Sequence, residues 1–206
     1  DTTNYKILKS KFQKFSQKGV TIAFPKNTFY EDLYLDFSVK GKLVTIHKPN
    51  IPLDKSFTIT FDSTMYKKSD LDKIYIANTN NKKYANYQNT RKRADKIFTT
   101  TKTLGKYTLL IDSQKPKIYN PNFRKGDWVT SLRYLTIKIS DSQSGIKSYK
   151  AYIDDEWVLM EYDLKKKKLL YDFTDKKLVG NKHIFKLVVS DNVGNTNTYN
   201  STFYRK

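Results

Sequence analysis

Apolar side chains fall at every second position over most of this 206-residue chain, and that rhythm constrains its fold more than any other feature. A period of two sends alternate side chains to opposite faces of a pleated strand, whereas a helix would need 3.6. Leu33, Leu35, Phe37 and Val39 alternate with Tyr34, Asp36 and Ser38, and Lys40-Gly41-Lys42 then turns the chain into Leu43-Val44-Thr45-Ile46. Phe57, Ile59 and Phe61 follow against Thr58 and Thr60, then Ile74 and Ile76 around Tyr75. Ile97 to Thr101 and Tyr107 to Ile111 flank Leu104-Gly105-Lys106, which reads as a hairpin turn, so about seven strands are complete by Asp112.

A second series begins at Leu135, Ile137 and Ile139, alternating with Thr136 and Lys138. Ser148 to Ile153 and Trp157 to Tyr162 read as a hairpin around Asp154-Asp155. Leu169 to Phe173, Ile184 to Val189 and Thr198 to Tyr204 complete the set, the last two joined by an Asp191-Asn192-Val193-Gly194-Asn195 turn. Between the series, Asp112-Ser113-Gln114-Lys115-Pro116 reads as a linker, because Pro116 and Pro121 cannot donate to a ladder. The expectation is an all-β chain of two tandem Ig-like or fibronectin-like β-sandwiches, residues 18–112 and 113–206. Ile7, Leu8, Phe12 and Phe15 have roughly helical spacing, so residues 1–17 are expected to be an N-terminal extension or the tail of a preceding segment.

With 38% hydrophobic and 15% aromatic residues, the chain holds enough apolar surface for two packed cores. No stretch approaches the length of a transmembrane helix. The chain opens at Asp1 without a basic-then-apolar leader, which fits a cytosolic protein or the mature portion of an exported one. Absence of cysteine excludes disulfides, thiolate chemistry and zinc sites that need sulfur. The net charge of +19 raises nucleic acid as a partner, but only Arg91, Arg93, Arg124, Arg133 and Arg205 among the 39 basic residues are arginine. Specific phosphate and base readout favours the arginine fork, so no specific nucleic-acid partner is expected. The scattered lysines read as a solvated surface that blunts sheet edges, with attraction to anionic polymers as the alternative.

Catalytic chemistry finds little to work with. His47 and His183 stand alone, without the HxH or HxxxD spacing of a sulfur-free zinc site, so no catalytic and no metal residues are assigned. Ser144-Gly145 lacks a nucleophile-elbow frame. Asp154, Asp155 and Glu156 read as hairpin-turn residues rather than catalytic acids. The oxygen-rich loops Asp141, Ser142, Ser144, Gly145 and Asp191, Asn192, Gly194, Asn195 read as Asx turns rather than calcium sites. Lys165, Lys166, Lys167 and Lys168 form either an exposed hairpin loop or a contact with an anionic polymer. Trp128 and Trp157 read as core anchors, one per sandwich, or as sugar-stacking platforms.

Several long segments carry a resemblance: VTIAFPKNTFYEDLYLDF (20–37), IPLDKSFTITF (51–61), LGKYTLLIDSQKP (104–116), SGIKSYKAYIDDEWVLMEYD (144–163), LLYDF (169–173), HIFKLVVSDNVGN (183–195) and FYRK (203–206). Taken in order, residues 18–206 resemble the C-terminal, non-catalytic region of lysostaphin-type (LytM-like) murein zinc metallopeptidases of Bacteroidota. The resemblance implies a parent whose separate catalytic domain carries the zinc and its HxxxD and HxH ligands, so no cofactor belongs to this chain. It implies a place in the periplasm or outer-membrane periphery. The partners it implies are the chain's own catalytic domain or envelope proteins, peptidoglycan or anionic envelope polymers. The function it implies is an accessory β-sandwich pair that positions or docks a peptidoglycan endopeptidase. A stand-alone envelope module for a partner protein or glycan is the alternative, and charge-driven nucleic-acid binding a third option. Asp62-Ser63-Thr64 and Asp1-Thr2-Thr3 resemble an O-glycosylation signal of that phylum, making Ser63 and Thr2 candidate acceptors.

Overall fold

A computed structural model describes residues 3–206 apart from residues 65 and 82, and divides after Asp112 into two compact units. The first unit holds eleven strands: β1 (Thr3–Ile7), β2 (Gln13–Gln17), β3 (Val20–Phe24), β4 (Leu33–Lys40), β5 (Leu43–Ile46), β6 (Phe57–Asp62), β7 (Ile74–Asn78), β8 (Asn86–Tyr87), β9 (Arg91–Arg93), β10 (Lys96–Thr101) and β11 (Gly105–Ile111). They form two sheets, ordered β1-β4-β5-β11-β7-β8 and β2-β3-β6-β10-β9. Alternation decides what each sheet buries. Val20, Ile22 and Phe24 of β3 and Phe57, Ile59 and Phe61 of β6 face Leu35, Phe37, Val44, Ile46, Ile76 and Leu109 of the other sheet in one core. Lys40 pairs with Leu43, which leaves the two-residue loop Gly41-Lys42 between β4 and β5. Gly41 takes φ +57 there, as the first position of a type II′ turn requires.

Two expectations fail in this unit. Residues 3–17 are not an extension: β1 pairs with β4 and β2 with β3, so both belong to the sandwich. Ile7 is buried with the core while Phe12, in the connection between the strands, is 65% exposed. The quasi-helical spacing came from reading across that turn. Leu104-Gly105-Lys106 is likewise no hairpin, because β10 and β11 lie in different sheets and the segment between them crosses over. The Asn80 side chain grips this crossover, its Nδ2 donating to the Leu104 carbonyl at 2.9 Å and its Oδ1 accepting from the Lys106 N–H at 2.7 Å. Gly105 sits against that amide at φ +111, and a Cβ there would fall 2.6 Å from Asn80 Cγ.

The second unit holds β12 (Lys117–Tyr119), β13 (Asp127–Trp128), β14 (Tyr134–Ser140), β15 (Ile146–Ile153), β16 (Glu156–Val158), β17 (Glu161–Asp163), β18 (Lys168–Asp172), β19 (Lys182–Asp191) and β20 (Thr196–Tyr204). A four-stranded sheet, β12-β14-β18-β17, packs on a five-stranded one, β13-β20-β19-β15-β16. Leu135, Ile137, Ile139, Leu169 and Tyr171 of the first meet Ala151, Ile153, Phe185, Leu187, Val189 and Phe203 of the second. Pro116 and Pro121 bracket β12, an edge strand, where a missing donor does least harm. β13 pairs with β20 in the one parallel pairing among the described residues, Asp127 opposite Phe203 and Trp128 opposite Tyr204. Arg205 fixes the chain beyond β13. Its Nη1 donates to the carbonyls of Val129, Thr130 and Leu132 at 2.7, 3.3 and 2.9 Å, and its guanidinium lies 4.0 Å from the Phe173 ring centroid.

Candidate functional site

The five-stranded sheet of the second unit has one face in the core and one free, and strand parity assigns each residue. On β19, His183, Phe185, Leu187 and Val189 point inward, so Lys182, Ile184 and Lys186 point outward. Pairing carries that parity across the sheet. Lys186 lies opposite Tyr152 of β15, and Tyr152 opposite Trp157 of β16. Lys182 lies opposite Tyr204 of β20, and Tyr204 opposite Trp128 of β13. Two rows therefore read Trp-Tyr-Lys inward from opposite edges, with Ile184 and Thr202 between them. Trp157 is 60% exposed, Trp128 56% and Ile184 55%. Both tryptophans thus belong to one unit and neither anchors a core, which corrects the one-per-sandwich expectation. The core is filled instead by Phe123, Phe185, Tyr199 and Phe203 in edge-on and tilted contacts.

The two platforms differ in detail. Trp128 leans on Tyr204, with ring centroids 5.2 Å apart, and Lys206 Nζ stands 5.6 Å from its centroid. Trp157 follows the hairpin turn at Asp154-Asp155, where Ile153 pairs with Glu156 and both aspartates take positive φ, +53 and +63, as a type I′ turn requires. Glu156 turns away from the outer face and pairs with Lys176. The register leaves no carboxylate among the outward residues of β13, β15, β16, β19 and β20.

Asp154 has a further role. Its Oδ2 meets His183 Nδ1 at 2.7 Å and its Oδ1 accepts the Ile184 N–H at 2.8 Å. His183 is fully buried, its ring 5.3 Å from that of Phe203 and its Nε2 without a hydrogen-bond partner. His47 follows β5 at φ +49, with Nδ1 3.1 Å from Asp36 Oδ2. The two imidazoles lie in different units, each tied to its own aspartate, and among the described residues neither belongs to a group of three possible metal ligands.

The two oxygen-rich loops fold as Asx turns. Asp141 Oδ1 accepts the N–H groups of Gln143 and Gly145, and Asp191 Oδ1 accepts those of Val193 and Asn195. Asn192 Nδ2 donates to the Ser144 and Gly145 carbonyls and ties the loops together. The Asp141 and Asp191 carboxylates each have an oxygen within 4.8 Å of the other's.

Lys165, Lys166 and Lys167 form the exposed loop from β17 to β18, and Lys168 opens β18. Lys166 supplies Asp163 with a backbone N–H and an ammonium 3.6 Å away; the N–H is the larger influence holding that carboxyl below its usual range. This loop belongs to the four-stranded sheet, opposite the tryptophan rows. Ser63 is 5% exposed and its N–H donates to the Asp95 carbonyl. Thr2 lies outside the described residues. The first unit contains a cleft of ≈ 430 Å³ floored by Val20, Val44 and Phe61 and rimmed by Lys18, Lys42 and Lys67. Its Asp62 is held ionised by the Thr64 N–H and hydroxyl and is no candidate acid.

Sequence reasoning singled out the tryptophans but missed Tyr152, Tyr204, Lys182, Lys186 and Ile184. The signal was present: once Phe185, Leu187 and Val189 are assigned inward, the intervening residues of β19 must face out.

No curated protein matches the chain. A family model described as the Zu5-like domain matches residues 5–112, from within β1 to the end of the first unit and more than half of the 206 residues. By that match, the chain belongs to the Zu5-like domain family.

Proposed function

We propose that this chain is a non-catalytic accessory region of a peptidoglycan endopeptidase, which it holds against the cell envelope in the periplasm or at the outer-membrane periphery. One observation carries the reading. Trp128 and Trp157 stand more than half exposed on a single lysine-bearing sheet face, where neither contributes to a core. An inert spacer has no use for two solvated indoles, whereas a docking region does. The order of the segments resembling murein metallopeptidases supports the peptidoglycan assignment, and the separate fixation of His47 and His183 supports a non-catalytic role. The same two rings also support the stand-alone binding module as a second reading; HxxxD and HxH motifs upstream of Asp1 would decide for the accessory region.

The test is co-sedimentation of the chain with purified sacculi, with and without added zinc. Retention without release of soluble muropeptides is expected. Lysis by the chain overturns the non-catalytic role, and failure to sediment overturns docking.

A further inference from the structure

The geometry points to the outer face of β13-β20-β19-β15-β16 as a docking surface for an acidic, carboxylate-bearing polysaccharide, an inference that rests on the envelope-docking reading above. The argument is one of spacing, ring chemistry and charge. Trp157 and Trp128 sit on strands four positions apart, about 19 Å at ordinary strand spacing, and four residues apart along them, which puts the two indoles about 24 Å from each other. Each indole adjoins a tyrosine in its own row, Tyr152 or Tyr204, so each edge presents a broad aromatic platform. The face of an aromatic ring carries negative potential and receives the polarised C–H groups of a pyranose. Lys186 and Lys182 stand inward of the two platforms, about 14 Å apart along β19. With no carboxylate among the outward residues, their ammonium groups have no partner on the face and meet anionic substituents of a bound chain.

The character of the surface between the platforms selects among polymers. Asn200 and Thr202 of β20 lie outward there, opposite Lys186 and Ile184, and Ile184 is the one large exposed apolar residue between the rows. Rings at separated edges with hydroxyl and amide groups between them suit a repeating, hydroxylated polymer. A protein partner favours a contiguous apolar centre. Single-stranded nucleic acid favours a charged groove that tracks closely spaced phosphates, with bases stacked in succession.

The test uses the whole chain and three soluble probes: polygalacturonate, the neutral polysaccharide dextran and oligothymidylate. Affinity electrophoresis and tryptophan emission read binding. Polygalacturonate should retard the chain and shift its emission, while dextran should do neither. Trp128→Ala and Trp157→Ala should each weaken polygalacturonate binding about tenfold or more, the size of one lost stacking contact. Trp128→Tyr and Trp157→Tyr should recover most of that loss, which separates ring stacking from misfolding. Lys182→Gln with Lys186→Gln should weaken binding and flatten its salt dependence. Equal binding to dextran, tighter binding to oligothymidylate, or unchanged affinity in the tryptophan variants overturns the inference. Retention on sacculi that the tryptophan variants leave intact sinks this face but not the docking function. Variant-sensitive polygalacturonate binding without sacculus retention does the reverse.

Discussion

Replacing Asp154 should destabilise the second unit in an order that the structure dictates. This residue does three things at once. It accepts from His183 Nδ1 at 2.7 Å, accepts from the Ile184 N–H at 2.8 Å, and occupies φ +53 in the β15–β16 turn. Alanine removes both acceptors and adds backbone strain. Leaving the fully buried His183 donor unpaired costs about 1–3 kcal/mol, and a non-glycine, non-Asx residue in the left-handed region about 1–2 kcal/mol. The Ile184 bond counts for less, because the Asp154 side chain is 43% exposed and water can replace it. Asp154→Ala should therefore cost about 3–4 kcal/mol. Asp154→Gly relieves the strain but not the lost bonds, at about 2–3 kcal/mol, and Asp154→Asn keeps the turn and one acceptor, at about 1 kcal/mol. Urea titration followed by tryptophan emission measures this cleanly, since Trp128 and Trp157 both lie in the second unit and report it alone. An alanine variant as stable as the glycine variant would show that turn strain is not part of the account. A loss below 1 kcal/mol would show that the buried imidazole does not depend on Asp154.

In the first unit, Gly105→Ala combines a positive φ with a collision against the Asn80 amide and should cost about 2–4 kcal/mol; far-UV circular dichroism melts check it, and a loss under 1 kcal/mol refutes it. Replacing Lys165 to Lys168 with glutamine should leave polygalacturonate affinity within about twofold at physiological salt, because that loop serves the opposite sheet; a tenfold loss would move the binding face. Asp62, Asp163 and Asp172 have carboxyls lowered chiefly by backbone N–H donors from Thr64, Lys166 and Thr174. Folded values below the unfolded one of about 3.9 mean a contribution present above that pH and lost as pH falls through the folded values. Stability should thus be flat with respect to these three groups from pH 5 to 8 and decline only in stronger acid. Carboxylate NMR titrations with midpoints above 4 would contradict this.

Strand identity was legible because alternation survives in the sequence wherever one face is buried: Leu33 to Val39, Phe57 to Phe61 and Ile184 to Val189 all became strands. Sheet membership was not, since alternation says which side chains are buried but not which strand lies alongside. The crossover at Leu104-Gly105 therefore read as a hairpin, when Asn80, distant in sequence, holds it in place. The tryptophans were visible as candidates, yet burial depends on register. Only the pairing of Tyr152 with Trp157 and Tyr204 with Trp128 turns two scattered indoles into one face.

The mode of attachment of the two platforms also bears on how the face is acquired in time. Trp157 rides on a two-residue turn beside β15, a local closure of the kind that forms within microseconds. Trp128 is held by the parallel docking of β13 on β20 and by the Arg205 fork, contacts between opposite ends of the second unit. Closing so long a loop must await the strands between. During refolding the Trp157 half should mature first, so a kinetic intermediate would possess one stacking platform and engage a polymer at a single point.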